Sequence, residues 1–108
     1  MLKELQRGLR LTQALRKHHA DFPPNGLAIF MSIAVDEGLS ASDLVERLDM
    51  PKATVSRNLR MLGSRLSAQK EGLKLLRSDN DPIDFRIRRS YLTDKGKEFL
   101  EDIVKALK

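Results

Sequence analysis

Residues 40–66, SASDLVERLDMPKATVSRNLRMLGSRL, have the pattern of two short amphipathic helices joined by a tight turn. Ser40 marks the start of the first helix, because its side chain can accept a hydrogen bond from the backbone N–H of Asp43 while the Asp43 carboxylate reaches back to the N-cap. Pro51 suits the first turn of the second helix, where its missing N–H costs nothing. The segment therefore predicts a helix-turn-helix.

The second helix, predicted from Lys52 to about Leu66, has two different faces. At 100° per residue, one narrow arc is apolar and must face the core; it contains Val55, Leu59, Leu62 and Leu66. The opposite strip is polar and basic; it contains Ala53, Arg57, Arg60 and Ser64, flanked by Thr54 and Ser56.

This polar strip is suited to double-stranded DNA. An α-helix fits the B-DNA major groove, and the forked guanidinium groups of Arg57 and Arg60 can bridge guanine O6 and N7. Small side chains at positions 53, 54 and 56 allow close approach, and Lys52 at the helix N-terminus would attract phosphate. The alternative interpretation is that these cations only solvate the outer face of a surface helix.

The sequence after this helix favours the DNA-binding interpretation. Two extended runs, Leu73–Arg77 and Phe85–Leu92, are separated by the turn-rich residues 78–82 and predict a hairpin over residues 72–92. Apolar and basic residues alternate in the second arm, except at Arg89, which interrupts the apolar face. We expect wing contacts to DNA from Arg86, Arg88 and Arg89.

Three further helices complete the prediction. They are an N-terminal helix over residues 1–20, a support helix over 24–38, and a C-terminal helix over 93–108 that begins at the N-cap Thr93. The predicted fold class is mostly α with a small β-hairpin (α+β), a single winged helix-turn-helix domain with flanking terminal helices.

Positive charge is concentrated where DNA contact is predicted. The chain has 108 residues and a net charge of +5. Residues 52–91 hold ten lysines and arginines against four acidic residues, and the rest of the chain holds ten against eleven. All of the positive excess therefore lies in the predicted recognition helix and wing, as expected for contact with phosphates.

The chain resembles the MarR-type winged-helix transcriptional regulators, although it is shorter than typical members. The resemblance is carried by residues 48–57 (LDMPKATVSR), by the wing segment 81–86 (DPIDFR), and by 92–96 (LTDKG). It implies that Arg86 is the arginine of the family's Asp-x-Arg wing motif, which enters the minor groove, and that Asp84 is the aspartate that steadies it.

Three features depart from the family pattern. Asp49 stands where the family usually has glycine in the turn, Phe85 stands where many members carry a second wing arginine, and the connection 63–71 is longer than usual. Asp49 is compatible with the turn, because aspartate adopts left-handed backbone conformations more readily than most residues.

The terminal helices are candidates for association. Leu2, Leu5, Leu9 and Leu15 give the first helix an apolar side that it cannot bury alone. These residues either complete the core beside the last helix or pack against a second protomer, as in the family. We expect a homodimer through the N- and C-terminal helices, because a two-fold dimer would match palindromic DNA sites.

The sequence contains few of the residue types and arrangements that catalysis or metal binding requires. The chain has no cysteine, and its only histidines, His18 and His19, are adjacent and would point about 100° apart on a helix. The glycines form no phosphate-binding loop. We therefore expect no enzyme activity, no metal site and no cofactor.

The sequence predicts a sequence-specific, double-stranded DNA-binding transcriptional regulator. The alternatives are a winged-helix module for protein interaction or assembly, and an accessory factor for replication or mobile elements that binds DNA through the same residues. With neither a signal peptide nor a membrane span in the pattern, we expect a cytoplasmic protein without membrane contact. The sequence does not indicate whether the protein binds a small-molecule effector.

Overall fold

The computed structural model describes all 108 residues and contains five α-helices and one two-stranded antiparallel hairpin. In chain order the elements are α1 (Leu2–His18), α2 (Pro24–Val35), α3 (Ala41–Leu48), α4 (Lys52–Leu62), β1 (Leu76–Asn80), β2 (Arg88–Leu92) and α5 (Asp94–Leu107). The predicted α+β winged helix-turn-helix is confirmed, with helix ends up to four residues shorter than the sequence pattern indicated.

The corner between α3 and α4 has the predicted local structure. The Oγ of Ser40 accepts from the Asp43 N–H at 3.1 Å, and the Asp43 carboxylate accepts from the Ser40 N–H at 2.9 Å. Asp49 ends α3 in the left-handed region, with φ 52° and ψ 48°. Pro51 lies at the N-cap of α4, one residue before the helix. The turn therefore forms without the glycine that the resemblance implies.

The recognition helix α4 is shorter than predicted, because it ends at Leu62 and not at Leu66. The chain turns back at Gly63, and residues 73–75 then satisfy the last carbonyl groups of the helix. Leu73 N–H donates to Met61 O at 2.8 Å, and Leu75 N–H donates to Leu62 O at 2.9 Å. These bonds replace the next helical turn.

The wing hairpin is shifted along the sequence for the same reason. Residues 73–75 bind the end of α4, so β1 begins at Leu76, and β1 pairs with β2 in a register that places Ser78 opposite Ser90. Phe85, predicted to lie in the second arm, belongs instead to the connecting loop of residues 81–87. The other edge of β2 contacts the segment before α3, where Ser90 exchanges backbone hydrogen bonds with Gly38 and Leu39.

The core lies between α2, α4, α5 and the base of the hairpin. Its fully buried side chains include Ile29, Phe30, Ile33, Leu44, Val55, Leu62, Leu75 and Phe99. Of the four residues predicted for the inner arc of α4, Val55 and Leu62 are buried, Leu59 is half-buried, and Leu66 lies outside the helix. Recognition helix and hairpin are thus fixed to one hydrophobic core.

Helix α1 packs along α5 but has no buried residue of its own. The guanidinium of Arg10 donates to the carbonyl oxygens of Ala106 and Lys108, and His18 Nε2 lies 3.1 Å from the Asp102 carboxylate. The two helices run antiparallel, since the earlier residue of α1 contacts the end of α5 and the later residue contacts its middle. None of the helices is both long and apolar enough to cross a membrane.

Candidate nucleic-acid interface

The outer face of α4 carries the predicted base-reading side chains. Lys52, Ala53, Arg57 and Arg60 are exposed, and Thr54 and Ser56 are half-buried. The guanidinium groups of Arg57 and Arg60 form neither a hydrogen bond nor an ion pair within the chain. Both guanidinium groups are therefore available to an external partner.

Two residues near this face differ from the expectation. Ser64 was predicted on the outer strip of the helix, but it lies in the connection after Gly63, because the helix has already ended. Asn58, which the sequence analysis did not single out, is buried, and its Nδ2 donates to Thr54 O at 2.8 Å. Its position on the inner arc beside Val55 and Leu62 was the available signal.

The wing presents Arg86 in a fixed orientation. Its Nε and Nη2 donate to the two carboxylate oxygens of Asp84 at 3.0 and 2.9 Å, a bidentate pair. The hydrogen bond from the Arg86 side chain lowers the pKa of Asp84 below the ordinary value for an aspartate, and the Arg86 backbone N–H contributes. The Arg86 side chain is nevertheless 89% exposed. The guanidinium of Arg86 is thus oriented by Asp84 and is still open to solvent.

Arg88 lies on the outer face of β2 and is also exposed. Its guanidinium donates across the hairpin to Ser78 Oγ at 2.8 Å and to Asn80 Oδ1 at 3.2 Å. These acceptors are neutral, so the positive charge of Arg88 is not compensated by a carboxylate there.

The structure does not support the expectation that Arg89 contacts DNA. Its guanidinium is turned toward the body of the protein, where Nε donates to the Asp81 carboxylate at 2.7 Å and Nη1 donates to Gly38 O at 2.9 Å. Asp43 lies 3.8 Å away. Arg89 therefore ties the wing to the start of α3. The sequence contained a signal for this orientation, because Arg89 occupies an apolar-face position of β2, between Ile87 and Tyr91.

Asp81 is a second residue whose role the sequence pattern did not predict. The hydrogen bond from Arg89 is the main reason that the pKa of Asp81 falls to about 2, and the backbone N–H groups of Asp84 and Ile83 also contribute. One carboxylate oxygen thus holds the wing to the body while the other orders the loop at its end.

The recognition helix and the wing border a common groove of about 720 Å³. Arg60 and Ser56 line it from α4, Arg77 and Arg88 line it from the hairpin, and Arg65 lines it from the connection. Five cationic side chains and no acidic residue line this groove. Two of these cations are paired with carboxylates just outside the lining, Lys74 with Glu71 and Arg77 with Asp79. Arg60, Arg65 and Arg88 have no carboxylate partner, and they make the groove a basic surface shared by α4, the connection and the wing.

Comparisons with known proteins agree with this geometry. Residues 24–63 match the family model of a helix-turn-helix domain. Most of the chain superposes on solved MarR regulators: one from Methanosarcina mazei Go1 gives a TM-score of 0.72 at 19% identity, over 91% of this chain and 63% of that one. The fold is that of the MarR regulators.

Two further solved structures have the same MarR-like arrangement. A transcriptional regulator from Thermotoga maritima gives a TM-score of 0.71 at 23% identity, over 98% of this chain and 69% of that one. The S. aureus MepR–DNA complex gives a TM-score of 0.75 at 22% identity, over 92% of this chain and 73% of that one. No curated protein sequence matches the chain. The chain spans less than two thirds of the Methanosarcina regulator.

Proposed function

We propose that this protein is a MarR-type transcriptional regulator that binds double-stranded DNA in a sequence-specific manner. One observation carries the proposal: the unpaired arginine on the outer face of α4 and the cations of the wing line the same acid-free groove. If these cations only solvated the surface of α4, there would be no reason for cations of a second element to line the same groove without an acidic residue among them.

In this proposal α4 lies in the major groove. Arg57 and Arg60 would contact base edges, because their guanidinium groups have no competing partner in the chain and fit the acceptors of guanine. Ala53, Thr54 and Ser56 would allow close approach of the helix. Lys52, at the N-terminus of α4, would contact a phosphate.

The wing would contact the DNA beside this helix. Arg86 is proposed to enter the minor groove, because Asp84 already fixes its orientation and little conformational entropy is lost on binding. Arg88 would contact the phosphate backbone. Arg89 has no DNA contact in this proposal and acts by holding the wing in place.

A homodimer is proposed through the terminal helices. Leu2, Leu5 and Leu9 are exposed on α1, and Val104 and Leu107 are exposed on α5, which packs beside it. A second protomer covering these side chains would bring two α4 helices to two half-sites. Sedimentation equilibrium tests this assembly, and a monomer at micromolar concentration would contradict it.

The decisive experiment is a selection of bound sequences from random duplex DNA at two salt concentrations, followed by two variants. Arg57→Ala should cost about 1–3 kcal/mol on the selected site and little on random duplex. Lys52→Ala should weaken both duplexes alike, because a phosphate contact carries no sequence information. Equal losses from Arg57→Ala on both duplexes would contradict the assigned roles. Weak binding to every duplex at low salt would favour the protein-interaction alternative.

A further inference from the structure

The loop at the end of the wing, residues 81–87, exposes two large apolar side chains. Ile83 is 95% exposed and Phe85 is 73% exposed, and they flank the Asp84 that holds Arg86. Single exposed apolar residues are common on protein surfaces, but this pair lies beside Arg86, whose side chain is 89% exposed. The contacts proposed above do not account for it.

The backbone of this loop is fixed by its own hydrogen bonds. Asp81 Oδ1 accepts from Ile83 N–H at 2.7 Å and from Asp84 N–H at 3.0 Å. Asn80 Nδ2 donates to Phe85 O at 2.6 Å, and Ile87 N–H donates to Asp84 O at 3.0 Å. These hydrogen bonds fix the loop backbone before and after Asp84. Ile83 and Phe85 are therefore exposed although the loop that carries them is ordered.

The charges around the loop indicate the chemistry of the partner. Its two carboxylates are already paired, Asp81 with Arg89 and Asp84 with Arg86. The outermost groups are therefore apolar side chains next to a guanidinium. The minor groove of DNA offers matching surfaces, because its phosphate edges are anionic and its base steps accept apolar side chains. The loop itself does not line the groove, but the strands that carry it do, through Arg77 and Arg88. A duplex that lies along this groove is therefore the partner that fits both α4 and the loop.

We propose that Ile83 and Phe85 enter the minor groove beside Arg86 and insert against a base step, partly unstacking it. This inference rests on the proposed DNA-binding function and adds to it a contact that distorts the duplex. Phe85 stands where many MarR-type regulators carry a second wing arginine. Its ring would then contact the DNA by apolar insertion, in place of a contact made through positive charge. Preference for a site would depend on how easily its flanking base steps unstack.

The test uses a duplex selected from a random-sequence library by the native protein, with 2-aminopurine placed at successive flanking positions. The double variant Ile83→Ala/Phe85→Ala should bind about tenfold more weakly, in the range expected for losing an aromatic contact to a base. The slope of log affinity against log salt should stay unchanged, since no phosphate contact is lost. The proposal predicts a rise in 2-aminopurine fluorescence when the native protein binds, and this rise should be absent with the double variant.

Three controls sharpen the result. Phe85→Leu keeps an apolar side chain but loses the ring, so its affinity should lie between that of the native protein and that of the double variant, whereas Arg86→Ala should reduce the salt slope. Val35→Ala removes an equally exposed apolar side chain on α2, away from the wing, and should change nothing. The wing variants should keep the native thermal unfolding curve, because the altered side chains are exposed.

Affinity within twofold of native without a fluorescence change at any flanking position would overturn the inference. So would a loss of affinity with a reduced salt slope, or a change of sedimentation without loss of DNA binding, which would make the loop a self-association surface. If Arg57-dependent binding persists in those cases, only this inference fails. If the native protein prefers no duplex at all, the proposed function fails as well.

Discussion

Helix α4 and the wing are both basic in sequence, but only the wing also contains acidic residues, and the arginines of the two elements have different surroundings. Arg57 and Arg60 on α4 have no partner within the chain. On the wing, Arg86 is paired with Asp84 and Arg89 is paired with Asp81. The difference teaches that a count of positive charges locates a surface but does not say which cations a ligand can use.

The two elements are also held in place by different forces. Helix α4 is anchored by the fully buried side chains of Val55 and Leu62, whereas the outer part of the wing is held by ion pairs and backbone hydrogen bonds. Hydrophobic burial is insensitive to pH and to moderate salt, but ion pairs respond to both. The position of the wing should therefore depend on solution conditions more strongly than that of α4.

The largest expected effect comes from removing the apolar anchor of α4. Leu62→Ala should lower the free energy of unfolding by about 2–5 kcal/mol, because a fully buried side chain leaves a cavity. Urea unfolding followed by circular dichroism measures this. Val35→Ala, at an exposed position, should stay within about 0.5 kcal/mol of native. A loss from Leu62→Ala no larger than that of the control would mean that burial does not anchor the helix.

A smaller effect is expected where the connection passes the end of α4. A Cβ on Gly72 would overlap the carbonyl oxygen of Gly63 and approach that of Arg60 to 2.9 Å. Gly72→Ala should therefore destabilise the fold by about 1–3 kcal/mol through overpacking. The matched control is Gly8→Ala on α1, where a Cβ meets no atom within 4 Å and helix propensity should give a gain of about 0.5–1 kcal/mol. If Gly72→Ala is neutral, the connection is not held against α4.

The smallest and most local effect is a pH dependence confined to the wing. The pKa of Asp81 is about 2 in the folded protein, below the ordinary value of about 3.9. Because the folded-state value is depressed, its contribution to stability is present above about pH 4 and is lost as the pH falls toward 2. Carboxyl carbon chemical shifts should report the low pKa, and Arg89→Ala should raise it. An ordinary pKa in the native protein would contradict the ion pair.

Much of the fold followed from local pattern. The capping box at Ser40 and the N-cap Thr93 are decided by residues close together in sequence, and the structure confirms both of them. The apolar arc of α4 is confirmed for Val55 and Leu62, but not for Leu66, which lies beyond the end of the helix. The left-handed backbone at Asp49 also agrees with its residue type. The alternation in β2 carried a further signal, because Arg89 falls on the inward face.

What the sequence determined by itself was the set of elements, their order and the basic stretch they contain, because capping and amphipathic periodicity act over a few residues. Only the tertiary structure decided where α4 ends, since residues 73–75 reach back to bind its last carbonyl groups. It also decided which cations are occupied: Asp81 and Gly38 lie 8 and 51 positions from Arg89 in sequence and meet it only in the folded chain. Contacts of that separation depend on packing that no local pattern encodes.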